Sequence, residues 1–351
     1  MLLRLRDPLN PADLDAVCSA CEGLGFRARV LTVGERSVQL LEVEGDGDAA
    51  RLKSVLEDYL AVAGVVDDAG ARELVLKAGA DSETVVRVGD AVFGGGHAAL
   101  IGGPCSVQDA DSLLEIARAV RAAGATLLRG GAHKPRSSPY AFQGLGADAL
   151  RLLGDVSAEV GLPVVTEIME PSDIDGMLDV CAMFQVGSRN MANAPLLREL
   201  GKAGKPVLLK RGMAATAREF LLAAEYVLAE GNERVVLCER GIRGFDNATR
   251  NVLDVGTVAY LKRTTHLPVI VDPSHAAGRA DLVRPLARAG IAVGADGLLV
   301  EVHPRPLEAR SDARQALGLD AFADVANDMR LLIELDGRHF SQPSSQRTPT
   351  P

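Results

Sequence analysis

Eight short apolar segments, separated by helical patterns, run through the chain between residues 99 and 302. Strands that are apolar along their whole length are typical of a parallel sheet covered by helices on both faces. Eight strand–helix units within about 240 residues fit a closed (β/α)8 barrel, the TIM barrel, better than an open sheet. We therefore predict an α/β fold whose barrel spans 85–338. The predicted strands are 99–103, 126–130, 163–168, 183–187, 206–210, 235–239, 268–272 and 297–302.

The first 80 residues follow another pattern and predict a separate α+β domain. LLRLR alternates like a strand, and Pro11 begins a helical pattern with apolar residues on one face. Two strand-like runs, a second helical run and a last apolar run follow. This βαββαβ order predicts a small ferredoxin-like domain over 1–80. The Ser- and Pro-rich end of the chain predicts a disordered tail over 339–351.

The net charge of −9 argues against a nucleic acid or a membrane surface as partner. The five cysteines are scattered rather than arranged as a disulfide framework, which favours a reducing compartment. No apolar stretch reaches about 18 residues, so the sequence predicts no membrane-spanning helix. We therefore expect a cytoplasmic protein.

Basic side chains recur where the predicted strands end. Barrel enzymes carry their chemistry on the loops that follow the carboxyl ends of the strands, so barrel closure would bring these cations to one mouth. Clustered cations repel unless anions compensate them, and guanidinium groups fit phosphate and carboxylate. The expected occupants are two phosphates, or a phosphate and a carboxylate. The alternative is that each cation pairs with an acid on a neighbouring loop. The set comprises Arg129, Lys134, Arg136, Arg189, Lys210 and Arg240.

A second group follows the first, seventh and eighth strands, which are neighbours in a closed barrel. It consists of a thiol, an imidazole and two carboxylates, which suit a divalent ion such as Mn, Fe, Co or Zn. Taken singly, a cysteine after a strand is more often a small buried apolar residue. The metal hypothesis therefore depends on the convergence of Cys105, His275, Glu301 and Asp312.

Several long motifs resemble the 3-deoxy-7-phosphoheptulonate synthase (DAHP synthase) family of type Iβ. They occur in the family's order over nearly all of 85–335. The family condenses phosphoenolpyruvate with erythrose 4-phosphate and releases phosphate, at the first step of the shikimate pathway to aromatic amino acids. The motifs are GGPCSVQD, LRGGAHKPRSSPYAFQGLG, QVGSRNMAN, PVLLKRG, LCERGIRGFDNATRN, VDPSHAAGR and VEVHP.

The resemblance implies roles for individual residues. Cys105, His275, Glu301 and Asp312 match the metal ligands. Lys134, Arg136 and Ser137 match the stretch that binds the sugar phosphate. Lys134, Cys105 and His275 are the implied catalytic groups, and the water-activating group is left open between Lys134, Glu167 and water on the metal. Ala313 stands where the family commonly has Gly, which makes Asp312 the least secure ligand. The groups that match the phosphoenolpyruvate site are Arg129, Lys134, Ser188 (through its backbone), Arg189, Lys210 and Arg240.

The resemblance also implies regulation and assembly. Some family members carry an N-terminal domain like the one predicted here, which closes over the barrel when Tyr or Phe binds, and many are homotetramers. A competing interpretation is the sister enzyme that uses arabinose 5-phosphate, which typically has Lys-Ala-Asn-Arg-Ser where this chain has Lys134-Pro135-Arg136-Ser137. A non-catalytic amino-acid sensor is a third. The presence of all four ligand residues and all six cations argues against the sensor.

Overall fold

The computed structural model describes residues 2–5, 10–33, 38–45, 49–56, 59, 62–66, 74–77, 83–133, 140 and 142–344. The chain divides into two compact units, one made of Met1–Ser82 with Thr264–His266 and the other of the remaining residues. Among the described residues, no helix is long and apolar enough to cross a membrane. No disulfide joins any two of the five cysteines, all of which are described.

The first unit is a four-stranded antiparallel sheet with two helices. The strands lie in the order β2-β3-β1-β4, so β1 and β3 are central and β2 and β4 lie at the edges, as in ferredoxin-like folds. Asn10 begins α1 by accepting a hydrogen bond from the backbone of Ala12. Leu3, Leu41 and Leu52 are fully buried between sheet and helices. The elements are β1 (Leu2–Leu5), α1 (Pro11–Gly23), β2 (Arg27–Val33), β3 (Val38–Glu44), α2 (Ala49–Leu56) and β4 (Val62–Val66).

The second unit begins with a hairpin formed by β5 (Val86–Val88) and β6 (Ala91–Phe93). Val86, Val88 and Phe93 belong to the same buried cluster as the side chains inside the barrel. The hairpin directly precedes the first barrel strand and so lies at the amino end of that strand. It therefore closes the end of the barrel opposite the predicted site.

Eight parallel strands form the barrel, each paired with the next, and the eighth closes on the first. Val, Leu and Ile side chains from these strands fill the interior. The confirmed barrel places every strand's carboxyl end at one mouth, because all the strands run in the same direction. The strands are β7 (His97–Gly103), β8 (Leu127–Arg129), β9 (Val164–Ile168), β10 (Cys181–Val186), β11 (Val207–Lys210), β12 (Val235–Glu239), β13 (Val269–Val271) and β14 (Gly297–Glu301).

Helices connect these strands, and several of them begin at a side-chain cap. Asp109 caps the first of them, and Thr216 forms a capping box with Glu219. Short 3₁₀ turns occur at Pro171–Asp173, Ala280–Leu282 and Pro306–Glu308. The helices are α3 (Ala110–Ala123), α4 (Ala147–Val160), α5 (Ile174–Met177), α6 (Ala194–Ala203), α7 (Ala217–Leu228), α8 (Val255–Thr264), α9 (Pro273–Ala277), α10 (Val283–Ala292) and α11 (Leu319–Leu335).

The predicted disordered tail over 339–351 starts too early. β15 (His339–Phe340) pairs in parallel with the amino end of β7. Ser344 then donates through its backbone and its hydroxyl to Asp90 in the hairpin turn, at 2.7 and 2.6 Å. These hydrogen bonds hold 339–344 against the barrel, which the Ser- and Pro-rich composition did not indicate. Residues 345–351 lie outside the described part of the chain.

Candidate active site

Four side chains that follow the ends of the first, seventh and eighth barrel strands meet at the mouth of the barrel. Ligand atoms of Cys105, His275, Glu301 and Asp312 all lie within 4.8 Å of one another. Cys105 and Glu301 are buried, and the other two are half-buried. The predicted convergence of the four residues is therefore present in the structure.

A glycine brings the first strand close to the second, just before the thiol. Gly103 has φ +153°, and a Cβ at this position would lie 1.9 Å from the carbonyl oxygen of Arg129. Only glycine fits so close an approach of two backbones. Cys105 follows two residues later, and its thiol donates to Asp312 Oδ2 at 2.9 Å.

Asp272 orients the imidazole. Its carboxylate is fully buried, caps α9 by accepting from the His275 backbone at 2.9 Å, and contacts His275 Nδ1 at 2.7 Å. Because a carboxylate only accepts, Nδ1 must donate, and Nε2 is left with a lone pair that faces the cluster. Burial lowers the pKa of His275, although the charge of Asp272 opposes this shift. Burial therefore favours the neutral ring that a metal requires, and the contact with Asp272 fixes its tautomer.

The cluster has the chemistry of a cation site. The lone pair of His275 Nε2 faces Glu301 Oε1 at 3.3 Å, and the Cys105 sulfur faces a carboxylate oxygen. Electron-rich atoms at these distances repel one another unless a proton or a cation lies between them. A thiolate, an imidazole and two carboxylates are the mixed ligands of Mn, Fe, Co or Zn. The residues present therefore fit one divalent ion.

The expectation of an uncompensated cation cluster is wrong for two of its members. Arg129 Nη1 donates to Glu301 Oε1 at 3.1 Å, and Lys210 Nζ donates to Asp272 Oδ2 at 2.5 Å. All four side chains are buried. In each pair the acid comes from the strand next but one, because the side chains of alternate strands form one layer inside the barrel. The strongly depressed pKa of Asp272 has the same origin, since His275 and Lys210 outweigh the effect of burial.

Two other basic groups make no ion pair among the described residues. Arg240 is only 4% exposed, its Nη1 has no hydrogen-bond partner there, and burial lowers its pKa. Arg189 is exposed and follows the half-buried Ser188. These two arginines therefore remain candidates for binding an anion. Lys134, Arg136 and Ser137 were predicted to belong to it and lie outside the described residues.

Sequence reasoning missed a buried network beneath Arg240. Arg211 Nη1 donates to Glu239 at 2.8 Å and to Asp254 at 3.0 Å. Glu239 in turn accepts from the backbone of Gly241 at 2.6 Å. The network fixes the backbone on both sides of Arg240. The only sequence feature that pointed to this network was the position of Arg211 and Glu239 at the ends of predicted strands.

The fold and the site together define a (β/α)8-barrel enzyme with a candidate metal centre and a candidate anion site at its mouth. Residues 76–335 match the sequence model of the DAHP synthetase I family. The chain therefore belongs to this family.

Known relatives match most of the chain. Phospho-2-dehydro-3-deoxyheptonate aldolase of Thermotoga maritima is 40% identical over 337 residues, which is 96% of this chain and 99% of the relative. A crystal structure of that Thermotoga maritima aldolase matches with a TM-score of 0.75 and 38% identity, covering 97% of this chain and 98% of the solved one. A 2-dehydro-3-deoxyphosphooctonate aldolase of Syntrophotalea carbinolica is 33% identical over 70% of this chain and 94% of its own length.

Proposed function

We propose that the chain condenses phosphoenolpyruvate with D-erythrose 4-phosphate to give 3-deoxy-D-arabino-heptulosonate 7-phosphate and inorganic phosphate. The observation that carries the proposal is the convergence, at one barrel mouth, of a metal-type cluster and two arginines without an ion-pair partner among the described residues. Family membership and the similarity to the Thermotoga maritima aldolase support the same reaction.

In this proposal the basic residues bind the anionic substrates. Phosphoenolpyruvate carries a phosphate and a carboxylate, which Arg189 and Arg240 meet without a competing acid among the described residues. Arg129 and Lys210 complete its site, and the backbone of Ser188 lines it. Lys134, Arg136 and Ser137 hold the sugar phosphate. Neutralisation of these charges and alignment of the two reacting carbons is worth several kcal/mol.

The reaction then needs one new carbon–carbon bond and one broken phosphate ester. C3 of the enol phosphate attacks the aldehyde carbon, water adds at C2, and the tetrahedral centre expels phosphate. Lys134 and Glu167 are the candidate side chains for activating the water that adds at C2. Glu167 lies at the end of β9, where Gln185 donates to it at 3.3 Å.

Cys105, His275, Glu301 and Asp312 would hold the divalent ion, and Asp272 keeps His275 in the binding tautomer. When bound, the ion supplies Lewis-acid stabilisation of negative charge on a carbonyl oxygen. Its identity among Mn, Fe, Co and Zn is a matter for metal analysis of the purified protein.

A phosphate-release assay tests the proposal. Phosphoenolpyruvate is mixed with either erythrose 4-phosphate or arabinose 5-phosphate, with chelator, without chelator, and after Mn²⁺ is added back. We expect release with erythrose 4-phosphate, loss with chelator and recovery with Mn²⁺. Faster release with arabinose 5-phosphate would instead identify the activity named for the Syntrophotalea carbinolica relative. Full activity of a protein shown to be metal-free would refute the metal requirement.

Regulation, assembly and location are part of the same proposal. Tyr or Phe binds the ferredoxin-like unit and inhibits, the chain forms a homotetramer, and it acts in the cytoplasm. The absence of disulfides among the five cysteines supports a reducing compartment. Assays of inhibition by each amino acid, on the full chain and after removal of 1–80, test the first point. Inhibition that survives the removal would place the effector site elsewhere.

A further inference from the structure

Gln315 bridges a candidate metal ligand and an arginine that no prediction had singled out. The side chain is 2% exposed, and its Nε2 donates to Glu301 Oε2 at 2.5 Å. Its Oε1 accepts from Arg250 Nη1 at 3.0 Å. The orientation of the amide follows from its partners, because a carboxylate only accepts and a guanidinium only donates.

Arg250 extends this bridge to a second candidate ligand. The same Nη1 donates to Asp312 Oδ1 at 3.2 Å. Gln315 and Arg250 therefore connect the carboxylate at the end of β14 with the carboxylate in the loop beyond it. Arg250 comes from a different loop, the one that follows β12, and its backbone donates to Ala277 at 3.1 Å.

Gln315 and Arg250 contact one oxygen each of Glu301 and Asp312, and the other oxygen of each carboxylate faces the candidate metal ligands. Glu301 uses Oε2 for Gln315, while its Oε1 accepts from Arg129 Nη1 at 3.1 Å and lies 3.3 Å from His275 Nε2. Asp312 uses Oδ1 for Arg250, while its Oδ2 lies 2.9 Å from the Cys105 sulfur. Each carboxylate thus presents a single oxygen to the space that the four ligand groups surround.

Asp312 also needs support from its surroundings. Its φ of +53° makes it the one non-glycine residue with positive φ in the described part of the chain. A non-glycine residue in this region costs about 1 kcal/mol. The Arg250 contact and the hydrogen bond from the Gln315 backbone to the Asp312 carbonyl, at 3.0 Å, hold this conformation.

We propose that Gln315 and Arg250 are positioning residues for the metal. They restrict Glu301 and Asp312 to one metal-facing oxygen each, which suits an ion with few ligands better than Ca²⁺, which takes six to eight oxygens, often from bidentate carboxylates. The inference rests on the proposed metal centre and adds to it the residues that set its geometry and selectivity.

Binding of Co²⁺ to Gln315→Met and Arg250→Met proteins tests the proposal. The readouts are the dissociation constant from calorimetry, the visible absorption of bound Co²⁺, competition by Ca²⁺, and thermal unfolding of the metal-free protein. Arg314→Met is the matched control, because Arg314 is exposed and lies beside Gln315. Cys105→Ala reports on the metal centre itself.

We expect each variant to weaken Co²⁺ binding about 10- to 100-fold, the usual effect of losing a group that orients a ligand. The Co²⁺ spectrum should change and Ca²⁺ should compete better, while Arg314→Met behaves as wild type. The double variant should lose little more than either single one, since both residues act in one chain of contacts.

Two results would overturn parts of this picture separately. Wild-type Co²⁺ affinity and spectrum in both positioning variants, with binding lost in Cys105→Ala, would refute the roles of Gln315 and Arg250 and leave the metal centre intact. Wild-type binding in Cys105→Ala would refute the metal centre. If Gln315→Met does not fold, Arg250→Met decides the matter, because its side chain is 39% exposed and tolerates replacement.

Discussion

Arg129 donates to Glu301 across 3.1 Å, so a guanidinium assigned to phosphoenolpyruvate is paired with a carboxylate assigned to the metal. Both groups are buried, where a charge is neutralised mainly by its immediate neighbours. The two assigned sites therefore share a charge. Whatever occupies one site must alter the electrostatics of the other.

This pairing predicts that metal and phosphoenolpyruvate bind cooperatively. An ion that takes the charge of Glu301 leaves Arg129 free to attract the substrate. We expect Mn²⁺ to tighten phosphoenolpyruvate binding about 10-fold, within the usual range for coupled sites. Calorimetry with and without chelator measures the change. The Glu301→Gln protein should bind the substrate independently of Mn²⁺, and an unchanged wild-type affinity would contradict the coupling.

Replacement of Cys105 by alanine should remove the metal without unfolding the barrel. The thiol is the only sulfur in the cluster, and we expect affinity for Co²⁺ or Zn²⁺ to fall at least about 100-fold. Cys181→Ala is the matched control, because burial raises the pKa of that thiol to about 11 and its sulfur donates to a backbone carbonyl. Equal metal content in the two variants would be inconsistent with the assignment.

Arg240 and Arg211 should respond oppositely to the same substitution. Arg240 is buried without an acidic partner in the described chain, so Arg240→Met should leave the free energy of unfolding unchanged or raise it by about 1 kcal/mol, while kcat/KM falls at least about 100-fold. Arg211→Met leaves Glu239 buried and unpaired and should cost about 3 kcal/mol. Urea denaturation and steady-state kinetics distinguish the two. A strongly destabilised Arg240→Met protein would show that Arg240 serves the fold.

Asp328 provides a pH-dependent clamp between α10 and α11. Hydrogen bonds from Arg284 and Arg288 lower its carboxyl pKa from 3.8 to about 2. Because the folded pKa lies below the unfolded one, the clamp contributes fully above about pH 4 and is lost as the pH falls toward 2. We expect Asp328→Asn to lose about 1 kcal/mol at pH 7, since the arginines are partly exposed.

Urea unfolding of Asp328→Asn and wild type at several pH values measures this clamp. The difference between them should shrink below pH 4. Asp324→Asn is a suitable comparison, because Asp324 pairs with Arg284 alone among the described basic residues and is 61% exposed. A difference that is the same at pH 7 and pH 3 would exclude titration of Asp328 as its source.

Sequence reasoning was most accurate where the signal is local. The predicted barrel strands agree with the observed ones to within two residues at each end, because buried parallel strands are continuous apolar runs. Cys105, His275, Glu301 and Asp312 could also be grouped from the sequence. Once the barrel is assumed, strands one, seven and eight must be neighbours.

The sequence by itself determined the order of strands and helices, and the residues that follow each strand. Tertiary structure alone decided which charges pair, as for Lys210 with Asp272, and which polar groups support the ligands, as for Gln315 and Arg250. The physical reason is distance along the chain. Burial patterns repeat over a few residues, whereas hydrogen bonds such as those between Asp90 and Ser344 depend on where closure of the barrel places groups far apart in sequence.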